Sequence, residues 1–153
     1  MIEFGAIELT QQFLVVINAA IAAVLGSAIG WERDRAGKSV GPRTMALVGA
    51  SAAAIVNIGQ ILDVNAKFGD PTRAMHAIIT GIGFLGAGLI FQTRDSGTKG
   101  VTTAATVFAT AAMGCAVGLG FQIASVGLTL IILIVLRSTH MLEITANRRH
   151  DDE

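Results

Sequence analysis

The chain has 153 residues, 52% of them hydrophobic and 14% charged, and its 11 Lys and Arg balance its 11 Asp and Glu. So few charges do not cover the surface of a water-soluble domain this apolar, which excludes an ordinary aqueous enzyme. Zero net charge offers no basic field for nucleic acid, and the lone Cys115 leaves no intrachain disulfide or four-cysteine zinc site. Eighteen glycines against two prolines, many of them inside apolar stretches, fit membrane helices better than a linker.

In chain order the charges leave five apolar windows: 13–31, 44–62, 74–91, 101–119 and 121–136. The first four run to roughly the 17–25 residues that a helix needs to cross the hydrocarbon core. The fifth is shorter, but Arg137 can snorkel and apolar character resumes at Met141-Leu142, so an extended or tilted helix is open. Continuous apolarity without alternation predicts an all-α polytopic bundle of five transmembrane helices and not a barrel. Residues 1–142 make one transmembrane domain and 143–153 a short cytoplasmic tail. The first window has Glu3 and Glu8 ahead of it and no Lys or Arg, the wrong flank for a cleaved leader.

Orientation follows from the basic residues. With the N terminus outside, Arg33, Arg35, Lys38, Arg43, Arg94, Lys99, Arg137, Arg148 and Arg149 are cytoplasmic, and only Lys67 and Arg73 lie outside, so the prediction is N-out and C-in. Gly41-Pro42 and Asp70-Pro71 read as helix starts, with Asp70 as the cap of the third helix. Gly118-Leu119-Gly120 reads as a tight turn that makes spans 4 and 5 an antiparallel hairpin.

Several motifs invite a chemical reading. Gly81-Ile82-Gly83-Phe84-Leu85-Gly86 spells a dinucleotide fingerprint, but it lies within an apolar span and no strand precedes it. Close helix packing is the better account of Gly81, Gly83, Gly86 and Gly88, as it is of Gly26 and Gly30 in span 1 and Gly114 and Gly118 in span 4. Gly26 and Gly30 are also the expected face for self-association. In span 4, Thr102, Thr106 and Thr110 recur every four residues beside Thr103 and continue into Gly114 and Gly118. This polar stripe is either a packing seam whose hydroxyls bond back to the preceding turn or the lining of an ion path.

Other polar residues in the spans are Asn18, Ser51, Asn57, Gln60, Thr80, Ser125 and Thr129, with His76 one turn into span 3. An intramembrane Asp, Glu, Lys or Arg, the usual mark of a cation pathway, is not among them. Charges gather instead as a collar at the interfaces: Glu32, Arg33, Arg43 and Lys99 on the cytoplasmic side, Asp70 and Arg73 outside. Glu32 and Arg43, at the ends of spans joined by a short loop, are the expected ion pair. Nothing assembles a nucleophile with a base, so no catalytic residue and no enzyme activity are expected. No metal site or cofactor is expected either, and an Mg²⁺ held between the spans would have to rely on neutral groups and retained water.

Gly30-Trp31-Glu32-Arg33, Gly41-Pro42-Arg43-Thr44, Asp70-Pro71-Thr72-Arg73, the run from Gly81 to Gly88, and Lys99-Gly100-Val101-Thr102-Thr103-Ala104-Ala105-Thr106 occur in that order. Together these blocks resemble the MgtC/SapB family of bacterial inner-membrane proteins, over residues 25–136. Trp31 replaces a usual small aliphatic residue, and Pro42 before the arginine is a second departure. The resemblance implies a five-span inner-membrane protein tied to growth in low magnesium and, in pathogens, to survival in macrophages. It implies a regulatory role through membrane contacts, including restraint of the F-type ATP synthase, with Mg²⁺ or other cation transport as the competing reading. Expected partners are membrane lipid, a second copy and other inner-membrane proteins. Larger members add a cytoplasmic ACT-like domain, for which the residues after span 5 leave no room.

Overall fold

The computed structural model describes residues 8–66, 70–93 and 97–150. Five helices follow one another: α1 (Leu9–Arg35), α2 (Pro42–Ala66), α3 (Pro71–Leu89), α4 (Val101–Gly118) and α5 (Gln122–His150). Each contains one of the apolar windows almost entirely, and α5 does continue past Arg137.

The helix ends follow local chemistry. Asp70 caps α3, with Oδ1 accepting from the Thr72 amide at 2.8 Å, the Thr72 hydroxyl at 2.6 Å and the Arg73 amide at 3.4 Å. Pro71 occupies the first turn, where its missing N–H costs nothing. At the end of α4, Gly120 takes a φ of 86°, so that Phe121 N–H donates to Ala116 O and Gly120 N–H to Val117 O, both at 2.9 Å. That Schellman arrangement is the tight turn into α5.

One element escaped the sequence. Span 3 was expected to run to Phe91, but the helix stops at Leu89 and Ile90 turns extended, with φ −93° and ψ 119°. A hairpin follows, β1 (Phe91–Thr93) against β2 (Gly97–Lys99), antiparallel with Phe91 opposite Lys99. Three-residue strands are too short to show an alternating pattern. The hairpin closes on Gly100, whose φ of 89° and lack of a side chain let it lie against the Leu89 carbonyl, where a Cβ would collide.

Interhelix contacts fix the directions. Ala22, Gly26 and Gly30 of α1 meet Gly49, Met45 and Pro42 of α2 in reverse order, so these two are antiparallel. Gly114 and Gly118 of α4 meet Gly49 and Ala53 of α2 in the same order, so α2 and α4 are parallel. Gln122 at the start of α5 donates to Asn18 near the start of α1. Thus α1 and α5 run one way and α2 and α4 the other.

The core has two parts. Met45, Ala52, Val56, Ile78, Ile82, Val107, Ala111 and Cys115 join α2, α3 and α4, with Val40 of the α1–α2 loop. Ala22, Ile29, Ala53, Met113, Val117 and Leu136 join α1, α2, α4 and α5. Helix α4 is the hub: 61% of its most apolar window is buried, against 28% for α1 and for α2. Much of what faces outward is apolar, including Phe13, Val24, Leu47, Phe84, Ile123 and Ile134. By length and composition α1, the Pro42–Asp63 part of α2, and α4 suffice to cross a membrane, and Gln122–Ser138 of α5 is apolar but shorter. This is a membrane protein.

Candidate functional site

The glycines act unequally. A Cβ on Gly26 would strike the Met45 carbonyl, and one on Gly30 would lie 2.5 Å from Pro42 Cα and 2.7 Å from Gly41 O. Gly114 sits against the Gly49 carbonyl, and a Cβ on Gly118 would come 2.5 Å from Ala53 O. These are contacts of backbone with backbone, possible only without side chains. Gly49, which the sequence reading did not single out, is shared by both seams: its own added Cβ would meet Ala22 O at 2.8 Å. Gly26 and Gly30 are therefore occupied inside the chain, which corrects their expected role as a self-association face. On α3, Gly86 makes only ordinary contact with Ala104 Cβ at 3.7 Å, and Gly81, Gly83 and Gly88 have open space where a Cβ would stand.

The threonines of α4 lie on the same hub. Thr103, Thr106 and Thr110 are buried and Thr102 is exposed. Thr106 Oγ1 donates to Thr102 O at 2.7 Å and Thr110 Oγ1 to Thr106 O at 2.9 Å, while Thr110 Oγ1 also lies 3.4 Å from Met45 Sδ. The Thr106 and Thr110 hydroxyls are thus turned back onto their own helix, the arrangement that satisfies a buried threonine without water.

The collar splits between the two ends of the bundle. Glu32 pairs with its neighbour Arg33 and not with Arg43: Arg33 Nε donates to Oε2 at 2.6 Å and Nη2 to Oε1 at 2.9 Å. The expected partner was wrong because Arg33 turns inward, only 3% exposed, and Glu32, at 12%, follows it, whereas Arg43 is exposed. A bidentate pair is what so deeply placed a guanidinium requires. Arg35 instead lies over the exposed Trp31 ring at 5.4 Å. Lys99, the last residue of β2, is exposed, as are Asp70 and Arg73 at the opposite end. The three hydrogen bonds that Asp70 receives, with Thr72 contributing most, hold its carboxyl below the ordinary range. Arg94 and Asp95 lie outside the described residues. Ser51, His76 and Thr80 are on exposed surface, Thr80 Oγ1 donating to His76 O at 2.9 Å.

At the end where α1 and α5 begin and α2 and α4 finish, a vestibule of about 630 Å³ opens between the helices. Gln11, Asn18, Asn57, Gln60, Gln122 and Asp63 give it its polar lining. Asn57 Nδ2 donates to Gly118 O at 3.0 Å and Gln122 Nε2 to Asn18 Oδ1 at 3.0 Å. Asn57 Oδ1 is the one buried side-chain polar atom among the described residues without a hydrogen-bond partner. The sequence marked Asn18, Asn57 and Gln60 only as polar residues within spans. Their convergence on one cavity had no local signal.

The profile of the MgtC family matches residues 19–144. An uncharacterized protein of Haemophilus influenzae is 35% identical over 145 residues, which is 91% of this chain and 61% of that protein. The Escherichia coli K12 protein named "Putative magnesium transporter YhiD" is 34% identical over 139 residues, 88% of this chain and 63% of its own length. Protein MgtC of Brucella abortus is 35% identical over 132 residues, covering 84% of this chain and 54% of that protein. The chain thus spans less than two thirds of these curated relatives. No solved structure shows significant similarity to it. A profile match across most of the bundle, through the glycine seams and both ends of the collar, makes this chain a member of the MgtC family.

Proposed function

We propose that this chain is a non-catalytic regulator in magnesium homeostasis, set in the bacterial inner membrane with five crossings, N terminus outside and C terminus inside. It acts through contacts with other inner-membrane proteins and has no cation conduit of its own. The observation that carries this reading is the sealed hub. Where a threonine-lined path would run, Thr106 and Thr110 bond to their own helix, and Gly26, Gly114 and Gly118 bring backbones into contact on either side of α2. The exposed apolar faces, on α1, α3 and α5 above all, are the surfaces left for partners, among them the F-type ATP synthase.

The name of the Escherichia coli relative supplies the competing reading, a magnesium transporter. The two separate in one assay. Purified protein in sealed liposomes, loaded with a Mg²⁺-sensitive dye, is expected to admit Mg²⁺ no faster than protein-free vesicles, while its gene restores growth of a deletion strain in low magnesium. Protein-dependent Mg²⁺ entry that Thr110→Val abolishes would overturn the regulatory reading. A reporter fused at the C terminus is expected to be active in the cytoplasm, and periplasmic activity would overturn the threading.

A further inference from the structure

Helices α2 and α3 leave a trough between them. Gly59 of α2 lies against Pro71 and Ala74 of α3, so the end of one meets the start of the other and the two are antiparallel. Along their outer side runs a groove of about 380 Å³. Ala52, Ile78 and Ile82 are buried at its floor, and Leu47, Ile55 and Leu85 are exposed on its rims. Gly81 keeps it open, because a Cβ there would meet nothing within 4 Å. Among the described residues that line it, only Ser51 has a polar side chain. In a bilayer so apolar a trough excludes water and is filled by hydrocarbon.

The two ends of the groove differ in charge. Arg43, Leu47, Ser51 and Ile55 follow one another at four-residue steps on α2, all exposed, so Arg43 stands one turn beyond the groove. Lys99 is exposed at the same end, since Gly100 lies against the carbonyl of Leu89, the last residue of α3. Neither cation pairs with an acid among the described residues: Glu32 is taken by Arg33, and Asp34 lies on α1 beside Gly41. At the other end Arg73 stands one turn beyond Ala77, but the Asp70 carboxylate interacts with it and Asp63 is exposed close by. The groove is therefore positive at one end and balanced at the other.

We infer that the groove seats an acyl chain of an anionic phospholipid whose phosphate is held by Arg43, with Lys99 as a second positive charge. The planar fork of an arginine meets a phosphate through two hydrogen bonds, and a lysine adds a point charge. The lengths agree. Arg43 to Ile55 is about 18 Å along the helix, and one leaflet contributes about 15 Å of hydrocarbon. A free phosphate would use the charges and leave the groove empty, so the occupant is the lipid. Under the proposed threading it belongs to the cytoplasmic leaflet, but the binding rests neither on that threading nor on the regulatory role.

The test is native mass spectrometry of the full chain in non-ionic detergent micelles, titrated with phosphatidylglycerol, phosphatidylcholine or glycerol phosphate. The chain is expected to retain phosphatidylglycerol at least about fivefold more tightly than phosphatidylcholine, and glycerol phosphate not at all in the same range. Arg43→Ala should weaken phosphatidylglycerol about fivefold, as loss of one basic residue beside an anionic lipid does, and Lys99→Ala by less. Gly81→Leu fills the trough and should weaken both lipids about tenfold, the worth of a few displaced methylenes. Ser51→Leu is run beside it, and the affinity is read from whichever of the two melts as the wild type does. Arg73→Ala, at the balanced end, should change nothing. Equal retention of the two lipids by the wild type, or of neither, would overturn the inference. So would unchanged phosphatidylglycerol affinity in Arg43→Ala or in the groove-filling variant, or an equal loss in Arg73→Ala. Glycerol phosphate that binds as tightly as the lipid would assign the charges to a soluble anion and overturn it as well.

Discussion

Two glycine-rich regions of this molecule have the same spelling and opposite roles. In α1 and α4, Gly26, Gly30, Gly114 and Gly118 bring backbones to within contact of α2, and an added methyl group meets a carbonyl oxygen or a Cα. In α3, Gly81, Gly83 and Gly88 face open space, and only Ile78 and Ile82 of that helix are buried. The difference lies in the partner. Helix α2 offers Met45, Gly49 and Ala53 in a row at the height of both seams, so a small residue opposite becomes indispensable, whereas none of the described residues stands opposite Gly81, Gly83 or Gly88 on the outer face of α3. Spacing of small residues therefore marks where helices can approach closely and not where they do.

The comparison breaks most visibly at the hub. Gly114→Leu should destabilise the bundle by about 3 kcal/mol, the upper end of ordinary overpacking, because the obstructing atoms are the Gly49 carbonyl and Cα, which cannot swing aside. Gly26→Leu should do the same at the Met45 carbonyl. Denaturation in SDS–detergent mixtures reads both. Wild-type stability in either variant would mean that the seam is looser than described.

Next in size is the collar pair. Glu32→Ala leaves Arg33, 3% exposed, without its bidentate partner and should cost about 2 kcal/mol, within the usual range for a stranded buried polar group. Arg43→Ala, at an exposed residue, should change stability by less than about 0.5 kcal/mol. The double variant of Glu32 and Arg43 is then expected to be additive. A coupling between them larger than about 0.5 kcal/mol would restore the Glu32–Arg43 pair that the sequence suggested.

On α3 the sign reverses. Gly83→Ala or Gly88→Ala should be neutral or stabilise by up to about 0.5–1 kcal/mol, since alanine restricts the unfolded chain and meets no neighbour. Growth in low magnesium is the second readout. Loss of growth from a variant that is as abundant and stable as wild type would show that this face docks on another membrane protein, and a loss of stability would show that the face is covered within the chain.

These contrasts also show what the sequence made legible. Apolar runs between charges locate all five helices because burial in a bilayer is a local property of some twenty residues, and Asp70-Pro71 and Gly118-Leu119-Gly120 announce helix ends because caps and turns are local too. What stayed hidden depends on distant partners. Asn57 meets Gly118 sixty-one residues away, Gly49 meets both Ala22 and Gly114, and Glu32 chooses its neighbour Arg33 only because Arg33 is drawn into the bundle. The hairpin at Phe91–Thr93 and Gly97–Lys99 is too short for any periodicity.

The smallest expected effect lies at the start of α3, where weak packing leaves the cap with relatively more to do. Asp70 is fully exposed, and its carboxyl is held below the ordinary value by the Thr72 hydroxyl and amide. A carboxylate whose value is lowered on folding contributes stability that is fully present above the unfolded value and is lost as pH falls through the folded one. The cap should therefore hold at pH 7 and fade below about pH 4. Hydrogen exchange at the Thr72 and Arg73 amides reads it directly: Asp70→Ala should expose both at pH 7, and the gap between variant and wild type should narrow on acidification, with the melting temperature hardly changed. A gap that widens as pH falls would mean that the neutral acid, and not the carboxylate, holds the turn.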